Sequence, residues 1–131
     1  MIVDSSALLT ILLNEPDATR YARAIAGAPK TTIPAPTWVE VALVADGRMD
    51  MVLRTRFEYE VGRMKLEIAP FLAVHAVAAR EAWARFGRGR HPGRLNFGDC
   101  MAYGYARVEN RPLLFKGNDF ALTDIEPALK D

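Results

Sequence analysis

Residues 1–8, Met1-Ile2-Val3-Asp4-Ser5-Ser6-Ala7-Leu8, set three apolar residues directly before an acid and two hydroxyl side chains, after which the apolar run resumes. Three apolar residues bounded by capping residues read as a short buried strand. Asp4-Ser5-Ser6 then reads as the start of a helix over about Ser6–Leu13. A strand that runs straight into a helix, if it recurs, is the pattern of an α/β fold with a mainly parallel sheet flanked by helices.

It does recur. A second helix is expected over roughly Asp17–Ala26, with Pro16 at its first position and Gly27 at its end. Thr31-Thr32-Ile33 is a β-branched strand closed by Pro34, and a helix from about Pro36 to Asp46 follows, ending at Gly47. Residues 51–64 read as helical through Met51, Val52, Phe57, Val61 and Met64. Leu66–Ala69 is a third strand before Pro70, and the Ala, Arg and Glu content of His75–Phe86 favours helix. Beyond the Gly- and Arg-rich loop 87–94 come a helix over Phe97–Glu109, a strand over Pro112–Phe115 and the turn Gly117-Asn118-Asp119. No repeat, low-complexity segment or linker interrupts the series, so residues 1–131 are expected to form one domain.

Bulk properties agree with this reading. Half of the 131 residues are apolar, enough for one sizeable core, and 25% are charged, which is a globular balance. The net charge of +1 excludes a protein coated in positive charge but permits a local basic patch. Cys100 is the only cysteine, so no intrachain disulfide can form. Asp4 falls where a secretory signal would carry positive charge, and no stretch approaches the ~20 apolar residues that span a bilayer. A cytoplasmic protein without membrane association is expected.

In open α/β sheets ligands bind at the carboxyl ends of the strands. Asp4 directly follows the first strand, and Asp119 follows Leu113-Leu114-Phe115 by a few residues. Glu40 lies one turn into the helix after the second strand, and Asp99 in the first turn of the late helix. Each has a plain structural reading as well: Asp4 as a helix cap, Asp99 as the third position of a capping box with Asn96, and Asp119 as turn chemistry. Glu40 is the most informative, because Trp38-Val39-Glu40-Val41-Ala42-Leu43 surrounds it with apolar side chains, and a buried carboxylate is costly without a partner. Four gathered acids repel one another unless a cation joins them. Oxygen-only donors suit Mg2+ or Mn2+, and zinc is disfavoured because only His75 and His91 are available as imidazole ligands.

Met1 to Leu8, Leu95-Asn96-Phe97-Gly98-Asp99-Cys100 and Leu114-Phe115-Lys116-Gly117-Asn118-Asp119-Phe120 together resemble the PIN-domain ribonucleases, and more closely the VapC-type toxins of VapBC toxin–antitoxin pairs. The resemblance spans nearly the whole chain. It implies a PIN-like fold and a metal-dependent endoribonuclease, with Asp4, Glu40, Asp99 and Asp119 as the four catalytic, metal-binding acids. It also implies supporting roles for Ser6 and Asn118, a VapB-type antitoxin as partner and a homodimer, for which Ala7–Leu13 and Val39–Val44 are candidate surfaces. The loop arginines Arg88, Arg90 and Arg94, together with Lys116, are candidates to contact the RNA backbone. His91 reads as a bystander, Cys100 as an apolar staple against Leu95, and Trp38 and Trp83 as core.

Three alternatives stand beside this reading. One is a housekeeping RNA-processing or DNA-cleaving nuclease of the same fold. Another is a signalling receiver domain, which needs an acceptor Asp at a mid-chain strand end, where Leu66–Ala69 is followed by Pro70 instead. The third is a non-catalytic binding module whose acids are only caps.

Overall fold

The computed structural model describes residues 1–47, 50–89 and 92–130. Four short strands, β1 (Ile2–Val3), β2 (Thr32–Pro34), β3 (Glu67–Ala69) and β4 (Leu113–Leu114), form one wholly parallel sheet in the order β3-β2-β1-β4. Helices α1 (Ser5–Leu12) and α2 (Ala18–Gly27) join β1 to β2. Helices α3 (Ala35–Gly47) and α4 (Met51–Arg63) join β2 to β3, and α5 (Ala73–Phe86) and α6 (Phe97–Glu109) join β3 to β4.

Alternation along the strands splits the core into two layers. Val3 and Leu114 face α1–α4, where Leu8, Ile11, Tyr21, Ile33, Val41 and Phe57 are buried. Ile2 and Leu113 face the other way, toward Ala79, Ala82, Phe86, Leu95, Tyr103 and Ala106 of the α5–α6 side. Helices on both faces of a parallel sheet bury β1, β2 and β4 throughout, while β3 at the sheet edge leaves Glu67 and Ile68 exposed. The tightest helix contact is α5 on α6. A Cβ on Gly104 would stand 2.7 Å from the backbone nitrogen of Ala79, so only glycine allows the two backbones to approach this closely.

Several local expectations are corrected. Pro16 precedes the N-cap Asp17 rather than opening α2. Asp17 makes no side-chain cap bond, because its carboxylate accepts from Lys116 Nζ at 3.0 Å. Asp50 caps α4 through the backbone N–H groups of Val52 and Leu53, which turns Leu53 and Phe57 inward and leaves Met51 and Val52 exposed. Trp38 is half-buried and packs on Phe57 with ring centroids 5.9 Å apart. Trp83, expected in the core, is 39% exposed, its indole lying against the Gly87 backbone at the end of α5. No helix among the described residues is long and apolar enough to cross a membrane.

Candidate functional site

The chain runs from β1 outward to β2 and β3, then returns so that β4 pairs on the other side of β1. The carboxyl ends of β1 and β4 therefore flank the switch point of the sheet, the place where such folds open a crevice for ligands. Asp4 leaves β1 there. Its backbone N–H donates to Leu114 O at 2.9 Å, and its carboxylate caps α1 by accepting from Ser6 N at 3.0 Å.

Ser6 ties the two strand ends together. Its hydroxyl donates to Asp4 Oδ2 at 2.6 Å and accepts the backbone N–H of Lys116 at 3.0 Å. One Asp4 oxygen is thus held in place, while the other, Oδ1, is buried with no protein donor. Asp4 is only 1% exposed, and burial pushes its carboxyl up to about 6, against the lowering effect of the Ser6 hydrogen bonds; the charge of Glu40 pushes further upward.

Asp99 is fixed by a reciprocal capping box at the start of α6. Its N–H donates to Asn96 Oδ1 at 2.8 Å, and its own Oδ2 accepts from Asn96 N at 3.0 Å. The structural reading of this acid and its place in the cluster therefore hold together. Burial raises its carboxyl to about 7; the Asn96 bond opposes that rise, and the charges of Asp4, Asp119 and Glu40 add to it. Asp99 thus lies within electrostatic reach of the other three acids.

Glu40, one turn into α3, reaches the same place across the start of α6. A Cβ on Gly98 would stand 2.2 Å from Glu40 Oε2, so the carboxylate lies directly on the bare backbone beside Asp99. Glu40 Oε1 is buried and has no protein donor, and the hydroxyl of Thr37, which lines the same small cavity, is likewise unpartnered. Sequence reasoning missed both Gly98 and Thr37. A glycine in the first turn of a helix, a poor helix former where nothing local requires it, was the available signal for the first. Val39 and Leu43, on either side of Glu40, face solvent, whereas Ala7, Leu8, Ile11 and Leu12 are core.

Asp119 and Asn118 are exposed on the turn after β4, where Gly117 takes a φ of +99° that disfavours any side chain. Arg94 faces them across a groove of about 480 Å³. Arg88 lies elsewhere, in a cavity between α5 and α6, and Arg90 and His91 fall outside the described residues. Lys116 turns away from the four acids: its ammonium is held by Glu15 and Asp17 of the α1–α2 connection.

Among the described residues no three acidic, imidazole or thiol groups stand at metal-ligand spacing around one point. The four acids are an electrostatically coupled cluster rather than a closed coordination sphere. The donor chemistry nonetheless fits a hard divalent cation. The cluster offers carboxylate oxygens without nitrogen or sulfur, and two of them are buried with no donor to satisfy them. Asp4 and Glu40 would be among the residues holding such a cation, which would offset the mutual repulsion that adds to the burial-driven rise of Asp4 and Asp99.

A PIN domain matches residues 1–126. Ribonuclease VapC36 of Mycobacterium tuberculosis is 45% identical over 127 residues, covering 96% of this chain and 91% of that protein. Ribonuclease VapC28 of the same organism is 41% identical over 130 residues, covering 98% of each. Among solved structures, VapC20 of Mycobacterium tuberculosis, described as a toxin that cleaves the sarcin–ricin loop, superposes with a TM-score of 0.73 at 15% identity, covering 95% of each chain. VapBC2 of Rickettsia felis bound to a promoter DNA fragment superposes with a TM-score of 0.76 at 13% identity, covering 96% of this chain and 94% of that one. At such low identity these two likenesses concern the fold.

Proposed function

The chain belongs to the PIN-domain family, and from that premise we propose that it is a divalent-metal-dependent endoribonuclease, the cytoplasmic toxin of a VapBC-type toxin–antitoxin pair. Two raised carboxyls, Asp4 and Asp99, share one strand rim with two buried carboxylate oxygens that lack donors, and this observation carries the reading. Mg2+ or Mn2+ would be held by Asp4, Glu40 and Asp99, with Asp119 contributing from the exposed turn. When bound, the ion would lower the pKa of a water and offset charge gathering on the scissile phosphate.

The chain's own residues do the positioning. Ser6 fixes one oxygen of Asp4 and leaves the other free to bind. The Asn96–Asp99 box holds the third acid, and Gly98 gives Glu40 its seat. Arg94, across the groove from Asp119, supplies positive charge for the RNA backbone. Asn118 beside Asp119 supports substrate or ion from the same turn.

The likeness to VapC ribonucleases supports a VapB-type antitoxin as partner, with a basic side chain of the antitoxin standing among the acids where the ion otherwise sits. The exposed Val39 and Leu43 of α3 are the surface we assign to a homodimer.

The test is cleavage of single-stranded RNA by the purified protein with Mg2+, with Mn2+ and in EDTA, beside Asp4→Asn and Asp99→Asn. Cleavage is expected only with metal and only in the wild type. Undiminished cleavage in EDTA, or in both variants, would overturn the reading.

A further inference from the structure

We propose that Thr37 is a positioning residue of the acidic cluster: its buried hydroxyl and Glu40 Oε1 hold one water between them, and that water fixes the Glu40 carboxylate where an ion needs it. This rests on the metal-dependent nuclease reading above and adds one residue to its site.

Thr37 stands where the core expects an apolar side chain. With Val41 and Ala45 it forms the buried stripe of α3, and it is only 1% exposed. A buried hydroxyl is costly unless it is hydrogen-bonded. Thr10 shows the usual remedy: equally buried, it donates to the carbonyl of Ser6 one turn back, at 2.8 Å. The hydroxyl of Thr37 makes no such bond to any described residue. Packing does not call for it either, because valine fills the same β-branched shape without the polar group.

Thr37 shares a cavity of about 240 Å³ with Glu40, which lies three residues on and so on the same side of the helix. Glu40 Oε1 is the second buried oxygen here without a donor. A bound water needs about 30 Å³ and at least about two polar partners, and these two oxygens supply them. The remaining side chains around the cavity are apolar, so none of them can donate to the carboxylate.

Glu40 Oε2 already lies on the Gly98 backbone. A water donated from the Thr37 side to Oε1 holds the other oxygen, so the carboxylate cannot turn about its last bond. Oε1 has two lone pairs, and water and ion share it without competing. Ser6 does the corresponding work for Asp4 directly, through Oδ2. Val39 and Leu43, which line the same cavity, belong to the surface assigned above to the homodimer. A second copy on that surface would cover the cavity and shut bulk water out. Groups that orient a ligand in this way are worth about 10- to 100-fold in metal affinity.

The experiment compares wild type with Thr37→Val, Thr37→Ala and Thr37→Ser in the full chain. Mn2+ alone is titrated at pH 8 and followed by thermal melts, and urea unfolding in EDTA gives the stability without metal. Cleavage of a single-stranded RNA gives kcat and KM separately. Thr37→Val is expected to be at least as stable as wild type in EDTA, yet to need about 10- to 100-fold more Mn2+ for the same thermal rise. Its kcat should fall while KM for RNA holds, and Thr37→Ser should restore both the Mn2+ response and kcat. Thr37→Ala should need more Mn2+ as well, which keeps the test should the valine variant fail to fold. A threonine that only packs would move the stability in EDTA and leave the Mn2+ response alone. A wild-type Mn2+ response in either folded variant, or failure of Thr37→Ser to restore it, would overturn the role of the hydroxyl and leave the nuclease reading intact. No response of the wild type to Mn2+ would overturn the metal site and this proposal with it.

Discussion

Glu40 and Gly98 are in direct contact: the carboxylate of Glu40 rests where a side chain on Gly98 would be, its Oε2 only 2.2 Å from the position of a Cβ there. Residues 58 positions apart, on different helices, are thereby locked into one geometry, with Asp99 next in the chain.

Gly98→Ala should therefore act on Glu40 rather than on the fold. The added methyl forces the Glu40 carboxylate to swing away from the cluster, and displacements of about 1 Å at a reacting centre can cost about 100-fold in rate. RNA cleavage is expected to fall by about that factor while the circular dichroism spectrum is retained. Full activity in this variant would show that Glu40 has no place in the chemistry.

Asp4 and Asp99 set a pH dependence whose sign follows from their raised carboxyls. Unfolded, an Asp titrates near ~3.9; folded, these two titrate at about 6 and about 7. Between those values the folded protein holds more protons than the unfolded chain, so their contribution to stability is largest at the acidic end and is lost as pH rises through about 7. In EDTA, the urea-unfolding difference between Asp99→Asn and wild type should grow in favour of the variant from pH 5 to pH 8. A difference independent of pH would mean that Asp99 carries no such strain.

Metal should reverse that penalty. A cation binding only the folded protein at about 100 times its Kd adds about 2.7 kcal/mol. Thermal melts at pH 8 are expected to rise with Mg2+ or Mn2+ in the wild type and to stay flat in Asp4→Asn and Asp99→Asn. Equal shifts in all three proteins would place the ion elsewhere.

Ser6→Ala removes the donor to Asp4 Oδ2 and the acceptor of Lys116 N in one step. Leaving a part-buried backbone N–H unmet costs about 1–3 kcal/mol, so the denaturant midpoint should drop accordingly. Cleavage should fall as well, because Asp4 loses its fixed orientation. A stability change within ±0.5 kcal/mol would mean that water replaces the hydroxyl without loss.

Gly104→Ala tests packing alone. Its Cβ would meet the Ala79 backbone, which cannot rotate away, and overpacking of this kind costs about 1–3 kcal/mol. Cleavage per folded molecule should be unchanged, since α5 and α6 meet here away from the acids. A neutral melt would show that the two helices can part without cost.

Much of this protein is legible in its sequence because the signals are local. The apolar triplet before Asp4, the Asn96–Asp99 spacing and the Gly at 117 each depend on residues a few positions apart, and the alternation of strands and helices leads to the parallel sheet. What the sequence by itself determined is therefore the class of fold, the strand ends and which acids stand near them. Tertiary packing alone decided the rest. It turned Lys116 to Glu15 and Asp17, brought Glu40 onto Gly98, left Asp4 Oδ1 without a donor, and set Trp83 against Gly87 at the surface. Each of those depends on how closely segments tens of residues apart approach one another, and neither hydrophobic periodicity nor capping chemistry carries that distance.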